Sequence, residues 1–349
     1  MELSIIIATR NRAQSLAKAL DALSQLAISF DSIEVLVADN GSSDATAGIC
    51  DMYGKMFPHF KYIFDPRPGQ LVGWHRALPE SSGEVLAFID DDVRPTPGWA
   101  AAALECFESP DIGLATGKII PEFEEKPPLW QSDLVLSNQW GMWSALWCML
   151  DFGEEIIEIP ADFVWGSNFL IRRNALIDAG GFHPGGMPKH LFHFTGDGDV
   201  GVGRLVEQNG FKTLYHPAAA VAHDLPAARN SSPDEIQRWI FGEGLVTSYV
   251  LMRRLAAAHP ELKPEDLIPL VAETINPQEI SNIGRGYLKS NSKIPDDLQI
   301  LFNTCGAEGF QLHQEHFKSD ASFRHWVLRP SYLDIDACYT HPDLVPAET

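Results

Sequence analysis

No run of about 18 apolar residues occurs in this chain, so nothing in it reads as a membrane span. Paired cysteines are missing too: Cys50, Cys106, Cys148, Cys305 and Cys338 are odd in number, far apart and without a Cys-x-x-Cys pair. That pattern points to neither a zinc site nor a disulfide framework and fits a reducing cytoplasm. Positive charge is scarce, with 26 Lys and Arg against 47 Asp and Glu and a net charge of −21. Such a surface repels nucleic acid and anionic membrane, so a polyanionic acceptor would need a local basic patch. The first ten residues have no basic start and only a short apolar run, so no signal peptide is expected. Repeats and low-complexity tracts are absent as well.

What is present suffices for large cores. Hydrophobic residues make up 45% of 349, a length beyond which a single core usually stops growing. One large domain with a smaller one appended is the first expectation. Residues 3–8 form an aliphatic run, residues 16–26 repeat leucine and alanine at helical spacing, and residues 33–38 form a second run. Strand and helix alternate four times over about 110 residues, as in a doubly wound α/β sheet. Residues 84–89 read as a strand and 99–107 as a helix. A strand near 114–119 follows, then strand again at 163–172, a short helix at 175–179, a Gly- and His-rich loop at 182–199 and a helix at 199–209. Closing strands are expected at 212–215 and 219–223. Beyond about Leu225, helical periodicity takes over at 235–259, 298–302 and 308–317.

The most informative cluster is Asp90, Asp91 and Asp92. A strand without charge in its last five residues, 85–89, ends in three carboxylates, a crowding that is costly without a cation. Hard oxygen donors suit Mg²⁺ or Mn²⁺, and a metal bridging diphosphate oxygens stabilises a departing nucleotide. Ligands of doubly wound sheets bind beyond the carboxyl ends of the strands, where Thr9, Asp39 and the Asp cluster all fall.

Over residues 3–223 the motifs and their order resemble the inverting glycosyltransferases of family 2, which have a GT-A fold: a Rossmann-like α/β unit with a mixed central sheet. Residues 4–12, ending in Ala8-Thr9-Arg10-Asn11-Arg12, resemble the family's first strand and nucleotide-binding loop. Residues 37–44 resemble its second, whose Asp, here Asp39, contacts the base. Phe88-Ile89-Asp90-Asp91-Asp92 resembles its D-x-D element. The resemblance implies donor-binding roles for Ala8, Thr9, Arg10, Arg12, Asp39, Gly69, Asp90 and Asp91, with Asp90 towards the ribose, and a metal held by Asp92. The acceptor-only carboxylate of Asp39 can receive the N–H of a uracil-like base, and UDP- or dTDP-linked sugars are expected ahead of GDP-linked ones. Residues 1–117 then form the donor half and 118–225 the acceptor half of a catalytic domain, with 226–349 a helical subdomain.

Residues 166–173, followed by Gly180-Gly181-Phe182, resemble the family's acceptor-side strand and loop. Trp165 would offer the acceptor sugar a flat apolar platform beside Gly166, and Asn168 a hydrogen-bonding group. Thr195-Gly196-Asp197-Gly198-Asp199 occupies the place of the family's Glu-Asp pair, where a carboxylate takes the acceptor's proton. Local matching selects Asp197; counting back from Gly210 selects Asp199, with Gly198 as an insertion. The local match tips slightly towards Asp197. His223, at the end of a closing strand, can complete a Mn²⁺ shell or serve as a hydrogen-bonded structural residue.

Two departures stand out. Where the family often has Ala-Arg-Asn, this chain has Gly73-Trp74-His75, which leaves Arg67 or Arg76 to take over the donor contact. Trp140, Trp143 and Trp147 fall at i, i+3 and i+7, one helical face, and are expected either in the core or as an acceptor platform or lipid-facing lid. The sum implies a Mn²⁺- or Mg²⁺-dependent transfer of sugar onto a hydroxyl of a glycan or glycoconjugate. Peripheral membrane contact and self-association through the C-terminal helices are compatible with it. A sugar nucleotidyltransferase would want a glycine in Thr9-Arg10-Asn11-Arg12, which has none. A turnover-free carbohydrate-binding scaffold is the other rival, motivated by the altered Asp197 and Asp199 segment.

Overall fold

The computed structural model describes residues 1–227, 232–290, 292 and 294–345. β1 (Leu3–Thr9) and β2 (Ile33–Asp39) are buried along their whole length, as parallel strands covered on both faces must be. α1 (Ala13–Ser24) connects them and turns Leu16, Ala19, Leu20 and Leu23 inward. α2 (Thr46–Tyr53) leads to β3 (Phe60–Phe64), and α3 (Gln70–Ala77) leads towards β4 (Val85–Asp90). β1 runs parallel to both β2 and β4, with Thr9 beside Asp39 and Ala8 beside Asp90. The register brings three polar strand ends to one edge.

The rest of the sheet is mixed. β5 (Val93–Pro95), α4 (Trp99–Glu105) and the long β6 (Ile112–Phe123) come next. Four short strands follow: β7 (Leu136–Ser137), β8 (Met142–Ser144), β9 (Met149–Asp151) and β10 (Ile157–Glu158). β11 (Phe169–Arg172) enters antiparallel between β4 and β6. After α5 (Arg173–Asp178) and α6 (Gly198–Gln208), β12 (Lys212–Leu225) runs parallel to β6. Strand order is β3-β2-β1-β4-β11-β6-β9-β8-β7, with β12 pairing β5, β6 and β10. The α/β class and mixed sheet agree with expectation.

Three local expectations are corrected. Trp140, Trp143 and Trp147 do not share a helical face, because β8 pairs with β7 and β9, and Trp143 lies opposite both Leu136 and Leu150. Cys148, at φ +47°, sits in the turn between β8 and β9, a conformation no helix tolerates. The strand expected over 163–172 is confined to 169–172, preceded by short 3₁₀ turns. The two closing strands are one, with a register shift between His216 and Val221 where Pro217 has no N–H to give the ladder.

Past β12 the described residues are helical, dominated by two long helices, Pro233–Ala258 and Asp296–Ser319, packed on each other. One side of the pair forms a cluster of its own, in which Ile236, Ile240, Leu298, Phe302 and Cys305 pack with Leu134, Leu146 and Trp147. Tyr249, Met252, Phe310, Trp326 and Tyr339 join the cluster that holds Trp74, Phe88, Phe169 and Phe182. Polar contacts fasten the same region to the loops around the sheet edge: the Trp326 indole donates to the Phe194 carbonyl at 3.0 Å, and the Tyr339 hydroxyl to that of Pro68 at 2.7 Å. Among the described residues, no helix is long and apolar enough to cross a membrane.

Candidate active site

Thr9, Asp39 and the Asp triplet meet at the carboxyl edge of β1, β2 and β4. The Thr9 hydroxyl donates to Asp91 Oδ2 at 2.6 Å; Arg12 Nε lies 3.1 Å from Asp91 Oδ1, and Arg12 Nη2 2.6 Å from Asp92 Oδ2. Burial pushes the Asp91 carboxyl up to about 7 despite Arg12 and the Thr9 hydroxyl, with Asp92 and Asp90 adding to the rise. Burial thus dominates at Asp91, and the neighbouring carboxylates add the smaller part of the rise. Asp39 is buried, its Oδ1 accepting from the Ser42 N–H at 2.7 Å and its Oδ2 from the Tyr62 hydroxyl at 2.7 Å. Ala8 is buried beneath this edge, whereas Arg10 is exposed. Gly69 takes φ +105° at the start of α3, and a Cβ there would lie 3.0 Å from the Tyr339 hydroxyl and 3.1 Å from Met187 Sδ, so only glycine suits this bend.

A long-range pairing brings His223 to Asp92. β5 and β12 are antiparallel with His223 opposite Val93, and the Asp224 N–H donates to the Asp92 carbonyl at 2.9 Å. His223 Nδ1 lies 2.9 Å from the Trp147 carbonyl, which makes Nδ1 a protonated nitrogen, and Nε2 stands 3.6 Å from Asp92 Oδ1. A ring held through its other nitrogen is how proteins orient a histidine ligand. Among the described residues no group of three or more His, Cys, Asp or Glu is arranged to hold a metal. A metal at this edge would have Asp92 and His223 as its protein donors and take its other ligands from outside the chain.

On the other side of the triplet opens a cavity of about 1140 Å³, lined by Asp90, Trp74, Trp165, Gly166 and Asp199. Asp90 Oδ1 accepts from Gln70 Nε2 at 2.7 Å. Asp199, in the first turn of α6, accepts from the Gly166 N–H through Oδ2 and from the Val200 N–H through Oδ1. Burial pushes its carboxyl up to about 6, opposed by those two N–H groups and reinforced by Asp90. Gly166 has to be small, since a Cβ would stand 3.0 Å from the Trp74 ring and 3.3 Å from Asp199 Oδ2. Trp165 borders the cavity with its indole N–H fixed on the Asp162 carbonyl at 3.0 Å.

Asp197 lines the same cavity but is engaged differently. Its Oδ1 lies 2.5 Å from His183 Nδ1. Burial would raise this carboxyl, yet His183 and then Arg253 outweigh it and hold it below the ordinary carboxylate range. Asn168 does not meet the cavity. It is fully buried, accepting from the Trp99 indole at 2.9 Å and donating to the Ala219 carbonyl at 2.9 Å, so the acceptor role expected of it gives way to a brace between α4 and β12. Arg67 pairs with Asp65 at 2.6 Å and Asp336 at 2.8 Å, and Arg76 reaches Asp65 at 3.4 Å; neither lines the cavity. His75 is buried and accepts the Phe182 N–H at Nε2, and burial lowers it to about 3.

Residues that the sequence left unread sit here as well. Gln70 and Trp74 flank Asp90, His183 holds Asp197, and the long helix Pro233–Ala258 forms one wall of the cavity. Trp74 was visible only as an odd residue in an arginine's place.

The architecture defines a GT-A glycosyltransferase fold, and solved structures share it. A mannosyltransferase from Pyrobaculum calidifontis, determined with GDP-Man and Mn²⁺, aligns with a TM-score of 0.51 at 18% identity, over 98% of this chain and 87% of that one. Residues 1–349 of S. aureus TarS, determined with UDP-GlcNAc, align with a TM-score of 0.54 at 16% identity, over 97% and 89% of the two chains. The family model "Glycosyl transferase family 2" matches residues 4–180, and the chain belongs to that family. By sequence it is similar to the pre-mycofactocin glycosyltransferase of Mycobacterium tuberculosis, 27% identical over 270 residues, which are 74% of this chain and 48% of the relative. The chain thus spans about half the length of that relative. The glucosyl-dolichyl phosphate glucuronosyltransferase of Haloferax volcanii is 23% identical over 232 residues, 64% of this chain and 70% of the relative.

Proposed function

We propose that this family 2 protein is a metal-assisted, inverting glycosyltransferase that moves a sugar from a nucleoside diphosphate to an acceptor hydroxyl, with Asp199 as general base. One observation carries this reading: Asp199, its carboxyl raised to about 6, and Asp90 of the triplet line a single cavity at the sheet edge where nucleotides bind in such folds. Thr9, Arg12 and Asp39 seat the nucleotide, and Asp39 receives an imide N–H of uracil or thymine. Asp92 and His223 would hold Mn²⁺ or Mg²⁺, which would supply Lewis-acid stabilisation of the departing diphosphate. The Mn²⁺ in the Pyrobaculum complex supports this choice.

Trp165 and Trp74 wall the space for the reacting sugars. Gly166 and Val200 aim the Asp199 carboxylate through their N–H groups. As the acceptor oxygen bonds to the anomeric carbon and the bond to the diphosphate breaks, the hydroxyl proton passes to Asp199. A base with a pKa near 6 is ionised at neutral pH yet basic enough to take that proton.

Nucleotide release tests this reading, using UDP-, dTDP- and GDP-linked sugars with Mn²⁺ or with EDTA. Release from a UDP- or dTDP-sugar that needs the metal and rises with an acceptor is expected. Binding without release from every donor would favour the scaffold instead.

A further inference from the structure

We infer that the acceptor carries an uncharged, apolar aglycone, seated in the arm of the cavity that runs from Asp199 along the helix Pro233–Ala258. This rests on the proposed function in taking that arm as the acceptor side. The cavity, at about 1140 Å³, exceeds what a drug-sized ligand usually fills, so room remains beyond the reacting sugars. Trp239, Glu243, Val246, Val250 and Arg254 recur at i, i+4, i+7, i+11 and i+15, one face of the helix, and all line it. Ile275, Ile283 and Tyr287 form the opposite wall.

Most of these apolar side chains are only partly covered. Trp239, Val246, Val250, Ile275 and Ile283 are half-buried, lining an open arm of a chain that carries a net charge of −21. An exposed lining in which apolar side chains predominate, interrupted by Glu243 and Arg254, marks a binding surface. Its proximity to Asp199 in the same cavity selects the acceptor as the occupant.

Charge selects the chemistry of that acceptor. Asp90, Asp162, Asp197, Asp199, Glu243 and Glu279 line the cavity, against Arg204 and Arg254. Arg204 is itself engaged by Asp162 at 2.7 Å, and the Tyr287 hydroxyl donates to Glu243. A phosphate or polyanionic chain entering the cavity would face six carboxylates against two guanidiniums and meet net repulsion. An alkyl or aryl glycoside would bury its chain against the helix face while its sugar reached Asp199.

A matched set of probes tests the assignment on the wild-type protein, with tryptophan fluorescence as the readout. Methyl β-D-glucopyranoside, n-octyl β-D-glucopyranoside below its micellar concentration, and octyl phosphate are titrated with Mn²⁺ and UDP present. The octyl glucoside should bind at least tenfold more tightly than the methyl glucoside and more tightly than octyl phosphate. Val250→Asp should erase that preference, and Ile275→Asp, on the other wall, does the same if the first variant does not fold. Equal affinity for the two glucosides, a preference for octyl phosphate, or a preference that survives both substitutions would overturn the inference. The readout needs no turnover, so it separates the two proposals. Chain-length preference without nucleotide release from any donor removes the proposed reaction, whereas release without chain-length preference removes only the apolar acceptor.

Discussion

Asp197 Oδ1 and His183 Nδ1 stand 2.5 Å apart, and this contact divides the work between two carboxylates that share a cavity. Asp197 is spent on holding the loop around His183 beside the Tyr249 and Tyr332 rings. Asp197→Asn should therefore act first on stability, lowering it by about 1.5–3 kcal/mol in chemical denaturation, the range for a hydrogen bond to a charged group. The turnover of the folded variant should fall far less than that of a variant at Asp199.

Acid should weaken the fold through buried histidines. His75 and His313 are lowered by burial to about 3, whereas the unfolded chain takes up these protons near 6.5. The unfolded state binds more protons between those values, so these two groups contribute stability at neutral pH that is lost as pH falls below about 6.5. Asp91 and Asp199, raised to about 7 and about 6, contribute with the opposite sign, their stabilisation lost as pH rises. Comparing the wild type with His313→Gln in urea at pH 7 and pH 5 isolates one histidine. The wild type should lose more stability over that interval than the variant.

Asn168 separates a structural brace from an acceptor contact. Asn168→Ala leaves the Trp99 indole N–H and the Ala219 carbonyl without their partner, at about 1–3 kcal/mol each. Thermal melting should register the loss. An unchanged acceptor KM in the folded fraction is the companion result.

Metal removal should abolish turnover. EDTA is expected to reduce sugar transfer to background and added Mn²⁺ to restore it. His223→Ala should raise the Mn²⁺ concentration needed for half-maximal activity roughly tenfold or more. A Mn²⁺ response identical to that of the wild type would remove His223 from the metal shell.

The sheet's first half was legible because its signals are local. Short runs such as residues 3–8, aliphatic but for Ser4 and rich in isoleucine, read as buried strands, and the break into Asp90, Asp91 and Asp92 marks a strand end. What escaped depends on partners far away in the chain. The sequence linked His223 to Asp92 only through the family resemblance; the pairing of β5 with β12, which joins residues 93–95 to 221–223, is what brings them together. The tryptophans at 140, 143 and 147 carry helical spacing, but cross-strand pairing outweighs it. Asp197 and Asp199 were visible as a pair, yet their difference lies in His183 on one side and in the Gly166 and Val200 N–H groups on the other. The cavity wall formed by the helix Pro233–Ala258 reads as an ordinary amphipathic face until its surroundings are known.

The most direct measurement is the turnover of Asp199→Asn beside the wild type, at saturating donor, acceptor and Mn²⁺, from pH 5 to pH 8. The wild-type rate should rise with pH and level off, with a midpoint near 6, because the base acts only when ionised. Asp199→Asn should lose roughly 10²–10⁴-fold in kcat, with donor KM little changed and no inflection near pH 6. Near-normal turnover in Asp199→Asn, or a wild-type inflection that survives the substitution, would contradict the assignment of Asp199 as the base.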